Sequence, residues 1–177
     1  MTGPDAAEWV IELGDVGGAE ARALLAAYYL DVSDRWFQLH EGRDTTSEEL
    51  ETGLPRMRSD DLAAPTGVFL VARPGDDPVA GRIGGCVGVR RLRDPDGTRV
   101  AELRRMWVRP EHRGTGLAPS LLAVAEEVAR SWGVGTVRLD TRRDLVEALS
   151  LYRRNGWVDV PAFSDHPDAE VWLAKQL

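Results

Sequence analysis

Apolar positions recur at helical spacing over one long stretch near the start of the chain. Within residues 18–39 the apolar stripe consists of Leu24, Leu25, Tyr28, Tyr29, Val32, Trp36 and Leu39. This spacing predicts a long helix, either continuous or broken near Ser33. A second, shorter helix is expected from Ser47, a residue type that caps helices, and Gly53 and Pro55 weaken it.

Apolar runs bounded by turn signals predict four strands in the first half of the chain. They are EWVIELG, TGVFLVAR, IGGCVGVRRL and TRVAELRRMWV, at residues 8–14, 66–73, 83–92 and 98–108. The segment RPGDDPVAGR (73–82) predicts a turn, and DPDG (94–97) predicts a hairpin turn. Short connections join the last three strands, so we expect them to pair antiparallel.

Helices and strands alternate in the second half. A helix is predicted over about 117–132, with Pro119 in its first turn, where a missing N–H costs little. Another helix at 144–156 ends at Gly156. The remaining apolar runs predict strands at 135–141, 157–163 and 169–177. This order predicts a single domain of the α/β (α+β mixed) class, with one mixed, mostly antiparallel sheet and helices on both faces.

Composition and charge narrow the function classes. The 177 residues suit one domain, and the formal net charge of −7 argues against general electrostatic binding to nucleic acid or to anionic membranes. The start MTGPDAAEWV does not resemble a secretory signal, no apolar run could span a bilayer, and Cys86 is the only cysteine. We therefore expect a cytoplasmic protein. Since His40, His112 and His166 lie far apart without ligand spacing, we expect no metal site.

A glycine-rich turn, RGTGLA (113–118), joins the strand at 98–108 to the helix at 117–132. It is not a P-loop, because Lys175 is the only lysine, and Pro119 stands where a dinucleotide fingerprint needs its third glycine. Small residues nevertheless let backbone N–H groups at a helix N-terminus approach a pyrophosphate. An anion-binding turn and an ordinary tight turn both fit this sequence.

Basic side chains crowd the same stretch of this acidic chain. They are Arg104, Arg105, Arg109, His112 and Arg113. The cluster predicts either a site for an anionic cofactor or a solvated face held by salt bridges.

Three linked features resemble the GNAT superfamily of acyl-CoA-dependent N-acyltransferases. One is a hydrophobic strand that ends in Val108-Arg109-Pro110, and the next is the turn with Arg113, Gly116 and Ala118. The last is a downstream pattern of Ala148, Tyr152, Gly156 and Trp157. The resemblance is strong over 98–160. It implies a single GNAT-like domain over 1–177, with acceptor-side helices in 1–65 and the acyl-CoA-binding core in 98–160.

The resemblance implies acetyl-CoA as the acyl donor and no metal. Backbone of Met106 and Val108 would pair with the pantetheine arm like an added strand, and N–H groups of 113–118 would hold the pyrophosphate. The implied cofactor-binding residues are Met106, Trp107, Val108, Arg113, Gly114, Thr115, Gly116, Leu117 and Ala118. Many family members carry an asparagine in the loop after the strand at 135–141, but here that loop reads TRRD, so this contact is not assigned.

The resemblance also implies two catalytic side chains. Glu102 would accept the proton of the amine, unless it is a structural ion-pair partner of Arg104 on the same strand face. Tyr152 would donate a proton to the departing CoA sulfur, unless it is a core tyrosine with a satisfied hydroxyl.

The expected activity is transfer of an acetyl group from acetyl-CoA to a primary amine of a small molecule, by direct attack of the amine. The alternatives are an acetyltransferase for protein or peptide amines, and a non-catalytic acyl-CoA-binding sensor module. The net charge and the acidic residues in the expected mouth segments favour a cationic amine over an anionic amino acid as the acceptor. These residues are Asp31, Asp34, Asp165 and Asp168. No nucleic acid or membrane partner is expected, and a homodimer is compatible with the sequence.

Overall fold

Seven strands form one mixed sheet in the computed structural model, which describes residues 9–75 and 82–177. The strands are β1 (Trp9–Leu13), β2 (Gly67–Pro74), β3 (Gly85–Arg93), β4 (Arg99–Val108), β5 (Thr136–Thr141), β6 (Val158–Asp159) and β7 (Val171–Gln176). They lie in the order β1-β2-β3-β4-β5-β7-β6, and all neighbours are antiparallel except β4 and β5, which run parallel. The predicted mixed sheet is thereby confirmed. The beginning of the first predicted strand and most of the predicted turn at 73–82 fall outside the described residues.

Helices cover both faces of the sheet, as the element order predicts. They are α1 (Ala19–Glu41), α2 (Ser47–Gly53), α3 (Leu117–Ser131) and α4 (Val146–Arg154). On one face, Leu121 and Leu122 of α3 and Leu149 of α4 are buried in a core with strand residues. On the other face, Leu24 and Leu25 of α1 pack against a separate apolar cluster of the sheet.

The two N-terminal helices differ in detail from the sequence prediction. The long helix α1 is continuous through Ser33, whose buried hydroxyl accepts a hydrogen bond from Thr45 Oγ1 at 2.9 Å. The cap of α2 is Thr46 rather than Ser47, because Thr46 and Glu49 form a reciprocal capping box.

The C-terminal strands are shorter than predicted. Of the segment predicted at 157–163, only Val158 and Asp159 form β6, and both are exposed at the edge of the sheet. Pro161 has no backbone N–H to donate to a ladder, which limits the extension of this edge strand. The chain then returns to the sheet as β7.

In the described part of the chain, no helix combines the length and apolar character that crossing a membrane requires.

Candidate active site

The sheet opens between β4 and β5. These strands pair only at Ala101↔Val137 and Glu102↔Arg138, although β4 continues to Val108 and β5 to Thr141. Beyond the paired positions the strands diverge, and a cleft lies between their carboxyl ends. Ligands of open sheets with parallel strands bind in crevices of this kind.

A bulge in β4 turns two consecutive side chains to the same face. The register of β3 against β4 shifts beside Arg105, which has a left-handed φ of 55°. Arg104 Nη1 contacts Asp61 Oδ2 at 3.3 Å, and Arg105 Nε donates to Ser59 Oγ at 3.1 Å. Both guanidinium groups therefore lie on the face that α1 covers. Bulges and left-handed non-glycine residues are enriched at functional sites.

The backbone of β4 presents polar groups to the cleft. The N–H of Arg109 donates to the carbonyl of Gly84 at 2.8 Å, on the side of β3. Because an antiparallel ladder alternates, Met106 and Val108 direct their N–H and C=O groups to the opposite side. The carbonyl of Val108 accepts a hydrogen bond from Arg113 Nε at 3.0 Å. This edge of β4 can pair with an extended ligand as an added strand would.

The glycine turn between β4 and α3 depends on left-handed backbone. Gly114 has a φ of 78° and Gly116, the N-cap of α3, a φ of 88°. Thr115 Oγ1 donates to the carbonyl of His112 at 2.7 Å and holds the turn together. Within the described ranges, no acceptor is found for the N–H groups of residues 114–118. Free N–H groups at the positive end of a helix form an anion site.

A cavity of about 610 Å³ connects the cleft, the glycine turn, α1 and α4. This volume is within the range that small-molecule and cofactor sites occupy. It brings together most of the residues predicted from the sequence, namely Met106, Trp107, Val108, Arg113, Gly114, Gly116, Ala118 and Tyr152. Thr115, Leu117 and Glu102 are not among the lining residues. The side chain of Leu117 is part of the core, so that only its backbone faces the turn.

Tyr152 reaches the cavity from α4. Its side chain is buried and packs against the ring of Trp157 at a centroid distance of 5.6 Å. Burial raises the pKa of the Tyr152 phenol, and the neighbouring Tyr28 raises it further. The hydroxyl therefore stays protonated through the neutral range. Since no residue described in the structure hydrogen-bonds to this hydroxyl, the geometry does not favour the alternative of a core tyrosine with a satisfied hydroxyl.

Glu102 is held by guanidinium groups on the face covered by α1. Its Oε1 accepts from Arg90 Nη2 at 2.7 Å, while Arg104 Nε lies 3.9 Å from Oε1 and Arg138 Nε 4.0 Å from Oε2. Its side chain is only 9% exposed. This arrangement favours the ion-pair alternative, and the main partner is the cross-strand Arg90 rather than Arg104.

Helix α1 contributes to the cavity Asp31, which was expected in a mouth segment, and Arg35, which the sequence reasoning missed. Asp31 Oδ2 accepts from Trp107 Nε1 at 2.9 Å and from Arg113 Nη2 at 2.6 Å, and it thereby ties α1 to β4 and to the glycine turn. Arg35 Nη1 bonds to Glu147 Oε2 of α4 at 2.7 Å, and this guanidinium lowers the pKa of the Glu147 carboxyl. Along a helix, such polar positions look the same as a solvent-exposed face.

Asp140 is a second residue that sequence reasoning missed, and here a signal existed. It lies near the carboxyl end of β5 and lines the cavity. Its Oδ2 accepts from Ser164 Oγ at 2.7 Å, and Ser164 Oγ accepts in turn from Trp172 Nε1 at 3.0 Å. A carboxylate at the end of a strand beside a parallel neighbour occupies the position where ligands of such sheets bind.

Cys86 does not line the cavity. The Cys86 thiol is fully buried, and burial raises its pKa to about 12, which leaves little of the reactive thiolate. Among the residues that the structure describes, no group of three His, Cys, Asp or Glu side chains could hold a metal ion.

Similarity to known proteins shows the family to which this chain belongs. The model of the acetyltransferase (GNAT) family matches residues 32–157. The uncharacterised N-acetyltransferase YjgM of Escherichia coli is 35% identical over 81 residues, which are 44% of this chain and 48% of that protein. This match therefore spans about half of the relative's length.

Solved structures give the same result for the fold. A Klebsiella pneumoniae protein classed as an acyl-CoA N-acyltransferase has a TM-score of 0.68 and 27% identity, over 96% of this chain and 97% of its own. The PaiA N-acetyltransferase of Thermoplasma acidophilum, solved with coenzyme A, has a TM-score of 0.65 and 17% identity, over 96% of this chain and 99% of its own. These matches confirm the predicted fold and acyltransferase class, and the chain belongs to the GNAT family of acetyltransferases.

Proposed function

We propose that the protein transfers an acetyl group from acetyl-CoA to a primary amine of a small molecule, by direct attack of the amine. The cleft between β4 and β5 carries this proposal. It joins a turn suited to a pyrophosphate, a strand edge suited to a pantetheine arm, and the buried hydroxyl of Tyr152 in one cavity.

Residues 98–160 would form the acyl-CoA-binding core. The N–H groups of the glycine turn would bind the pyrophosphate, and Met106 and Val108 would pair with the amide groups of pantetheine. That pairing requires Arg113 Nε to leave the Val108 carbonyl. The released guanidinium then lies beside the turn, where it can bind phosphate oxygens.

The chemistry forms a C–N bond and breaks a C–S bond. The amine nitrogen attacks the thioester carbonyl carbon, and a cleft-facing N–H of β4 can stabilise the developing oxyanion. Tyr152 donates its hydroxyl proton to the departing sulfur. The proton lost by the amine passes to a carboxylate, which we assign to Asp140 because it lines the cavity. Glu102 is the other candidate for this role.

The walls of the cavity support a small acceptor over a peptide. Residues 1–65 would supply the acceptor side through α1, which hydrogen bonds and ion pairs fasten to its neighbours. Asp31 bonds to Arg113 of the turn, and Arg35 bonds to Glu147 of α4. These links cross from α1 to the other walls, and a long chain would have to pass between them.

Turnover tests the proposal. The protein is incubated with acetyl-CoA and a panel of small primary amines and short peptides, and a thiol reagent detects the release of free CoA. We expect release with at least one small amine and formation of its N-acetyl product by mass spectrometry. Turnover only with peptides would select the peptide alternative. CoA binding without any turnover would select the sensor alternative.

A further inference from the structure

Two neighbouring arginines, Arg104 and Arg105, are among the residues that line the cavity. Because of the bulge in β4, both side chains project to the face of the sheet that α1 covers, where they contact Asp61 and Ser59. Arg105 is held by neutral groups only, since it donates to Ser59 Oγ at 3.1 Å and to the carbonyl of Arg58 at 2.9 Å. Among the described residues it has no carboxylate partner.

The carboxylates that contact Arg104 among the described residues also bond to another guanidinium. Asp61 Oδ2 and Glu102 Oε1 both bond to Arg90, while Asp61 Oδ1 is buried without a hydrogen-bond partner in the described part of the chain. Burial lowers the pKa of Arg104, and repulsion from Arg105 and Arg90 lowers it further. This corner of the cavity therefore carries excess positive charge, which a bound anion would relieve.

A carboxylate stands on the opposite wall. Arg104 and Asp140 each lie two residues beyond the last paired positions of β4 and β5, Glu102 and Arg138. Since side chains alternate along a strand, both project on the same face of the sheet, across the cleft from one another. Within the part of the chain that the structure describes, Ser164 is the one hydrogen-bond donor to Asp140.

We propose that the acceptor is an amine that also carries a carboxylate, such as an amino acid, and that Arg104 and Arg105 bind this carboxylate while the amino group faces Asp140. The inference rests on the proposed acetyl transfer and names its substrate class. Guanidinium groups bind carboxylates through charge-assisted, often bidentate hydrogen bonds.

The carboxylates that favoured a cationic acceptor do not form such a site. Asp31 lines the cavity but is bonded to Trp107 and Arg113. Asp34 accepts from the N–H of Thr45, and neither it nor the loop residues Asp165 and Asp168 line the cavity. The carboxylate of Asp140 on the opposite wall therefore faces two guanidinium-bearing residues, Arg104 and Arg105.

The first test compares matched acceptors with the wild-type protein. Each set consists of an amino acid, its carboxamide and the corresponding amine without the carboxyl group, and initial rates are read from released CoA. We expect kcat/KM for the amino acid to exceed that for its carboxamide by about 10-fold or more, the scale of one charge-assisted hydrogen bond. Equal rates, or a preference for the amine without a carboxyl group, would overturn the inference and leave acetyl transfer standing.

The second test uses Arg105→Gln, because Arg105 forms no ion pair with any residue that the structure describes, so that its replacement breaks none of the described ion pairs. Its kcat/KM should fall about 10-fold or more for the amino acid and stay near normal for the simple amine. Arg99→Gln, outside the cavity lining, is the matched control and should change neither rate. An equal fall in kcat/KM for both acceptors would show that Arg105 does not bind the carboxylate of the acceptor.

Calorimetry separates failure of this inference from failure of the proposed function. Titration of the amino acid and its carboxamide into the CoA complex measures anion binding without any turnover. If no amine is acetylated but the amino acid binds more tightly than its carboxamide, and Arg105→Gln abolishes the difference, the carboxylate site stands without the proposed activity. Equal binding of the two ligands would remove the site.

Discussion

At the scale of single residues, the hydroxyl of Tyr152 is the group on which the proposed chemistry depends most. Tyr152→Phe keeps the ring and its packing against Trp157 but deletes the proton donor. We expect kcat to fall about 10²-fold or more, the usual contribution of general acid catalysis, with CoA affinity and melting temperature nearly unchanged. Steady-state kinetics and thermal melts check this. Tyr29→Phe is the control, because Tyr29 lies outside the cavity lining. If the chemical step limits the rate, a normal kcat for Tyr152→Phe would show that Tyr152 is a core residue and not the proton donor.

The two carboxylates considered as the base, Asp140 and Glu102, can be distinguished by the pH dependence of activity and by the stability of their variants. Asp140→Asn should lower kcat/KM about 10²-fold at neutral pH, and the loss should shrink at higher pH, where more of the amine is already deprotonated. Glu102→Gln should instead destabilise the fold by about 1–3 kcal/mol, because Arg90 loses the buried one of its ion-pair partners and keeps Asp61. Rate profiles against pH and thermal melts distinguish these outcomes. A pH-rescued loss of activity in Glu102→Gln, with Asp140→Asn unaffected, would reverse the two roles.

The buried Cys86 thiol makes stability depend on alkaline pH. Burial raises its pKa from 9.0 to about 12 in the folded protein, so the unfolded chain loses this proton first. The free energy of unfolding should therefore fall as pH rises from about 9 toward 12. Denaturant titrations at several pH values measure the slope, which should be smaller in Cys86→Ala. Rapid alkylation of the native thiol at pH 8 would contradict this burial.

At the scale of secondary structure elements, pyrophosphate binding by the glycine turn can be tested separately from the backbone strain that any substitution of its glycines causes. Gly116→Asp puts a negative charge where a pyrophosphate is proposed to bind, and it should weaken CoA binding at least about 10-fold. Gly97→Asp is a matched control, since Gly97 has a φ of 86° against 88° for Gly116, and neither has an atom within 4 Å of an added Cβ. Calorimetric titration should show normal CoA affinity for the control. Equal affinity in both variants would remove the pyrophosphate from the turn.

Local patterns predicted the elements well but not how they fit together. The strand predicted at 98–108 is β4 from Arg99 to Val108, and the helix predicted at 117–132 is α3 from Leu117 to Ser131. Their periodicity and turn residues are local properties. The bulge at Arg105 could not be predicted, because it depends on the pairing of β4 with β3.

The residues of the candidate site show the same difference between local patterns and tertiary contacts. Tyr152 and the glycine turn belong to contiguous motifs, and both contribute to the cavity. The sequence named Asp31 as a mouth residue and Arg105 as part of a basic cluster, but it did not give the groups that they contact, since their positions relative to other elements depend on tertiary contacts. The arrangement of the side chains that would choose the acceptor is therefore the part that the sequence did not reveal.

At the scale of the whole molecule, net charge is a poor guide to the charge within the cavity. The chain carries a formal net charge of −7, yet Arg104 and Arg105 lie together on one wall. Long-range fields from exposed carboxylates are screened over about 8–10 Å at physiological salt, whereas contacts inside a cavity are screened less. Acceptor choice should therefore follow the local guanidinium groups.

The short pairing of β4 with β5 also has a mechanical consequence. Among the residues that the structure describes, a four-stranded half, β1 to β4, and a three-stranded half, β5 to β7, share only two paired positions in the backbone. A cofactor lying along the free edge of β4 would stabilise the junction between β4 and β5. Amide hydrogen exchange should therefore slow at Met106, Val108 and residues 139–141 when CoA is added. Mass spectrometry of exchange with and without CoA measures this, with the paired centre of β2 as the unchanged reference. The proposed cofactor would then also hold together the two halves of the sheet, which share a hydrophobic core but little backbone pairing.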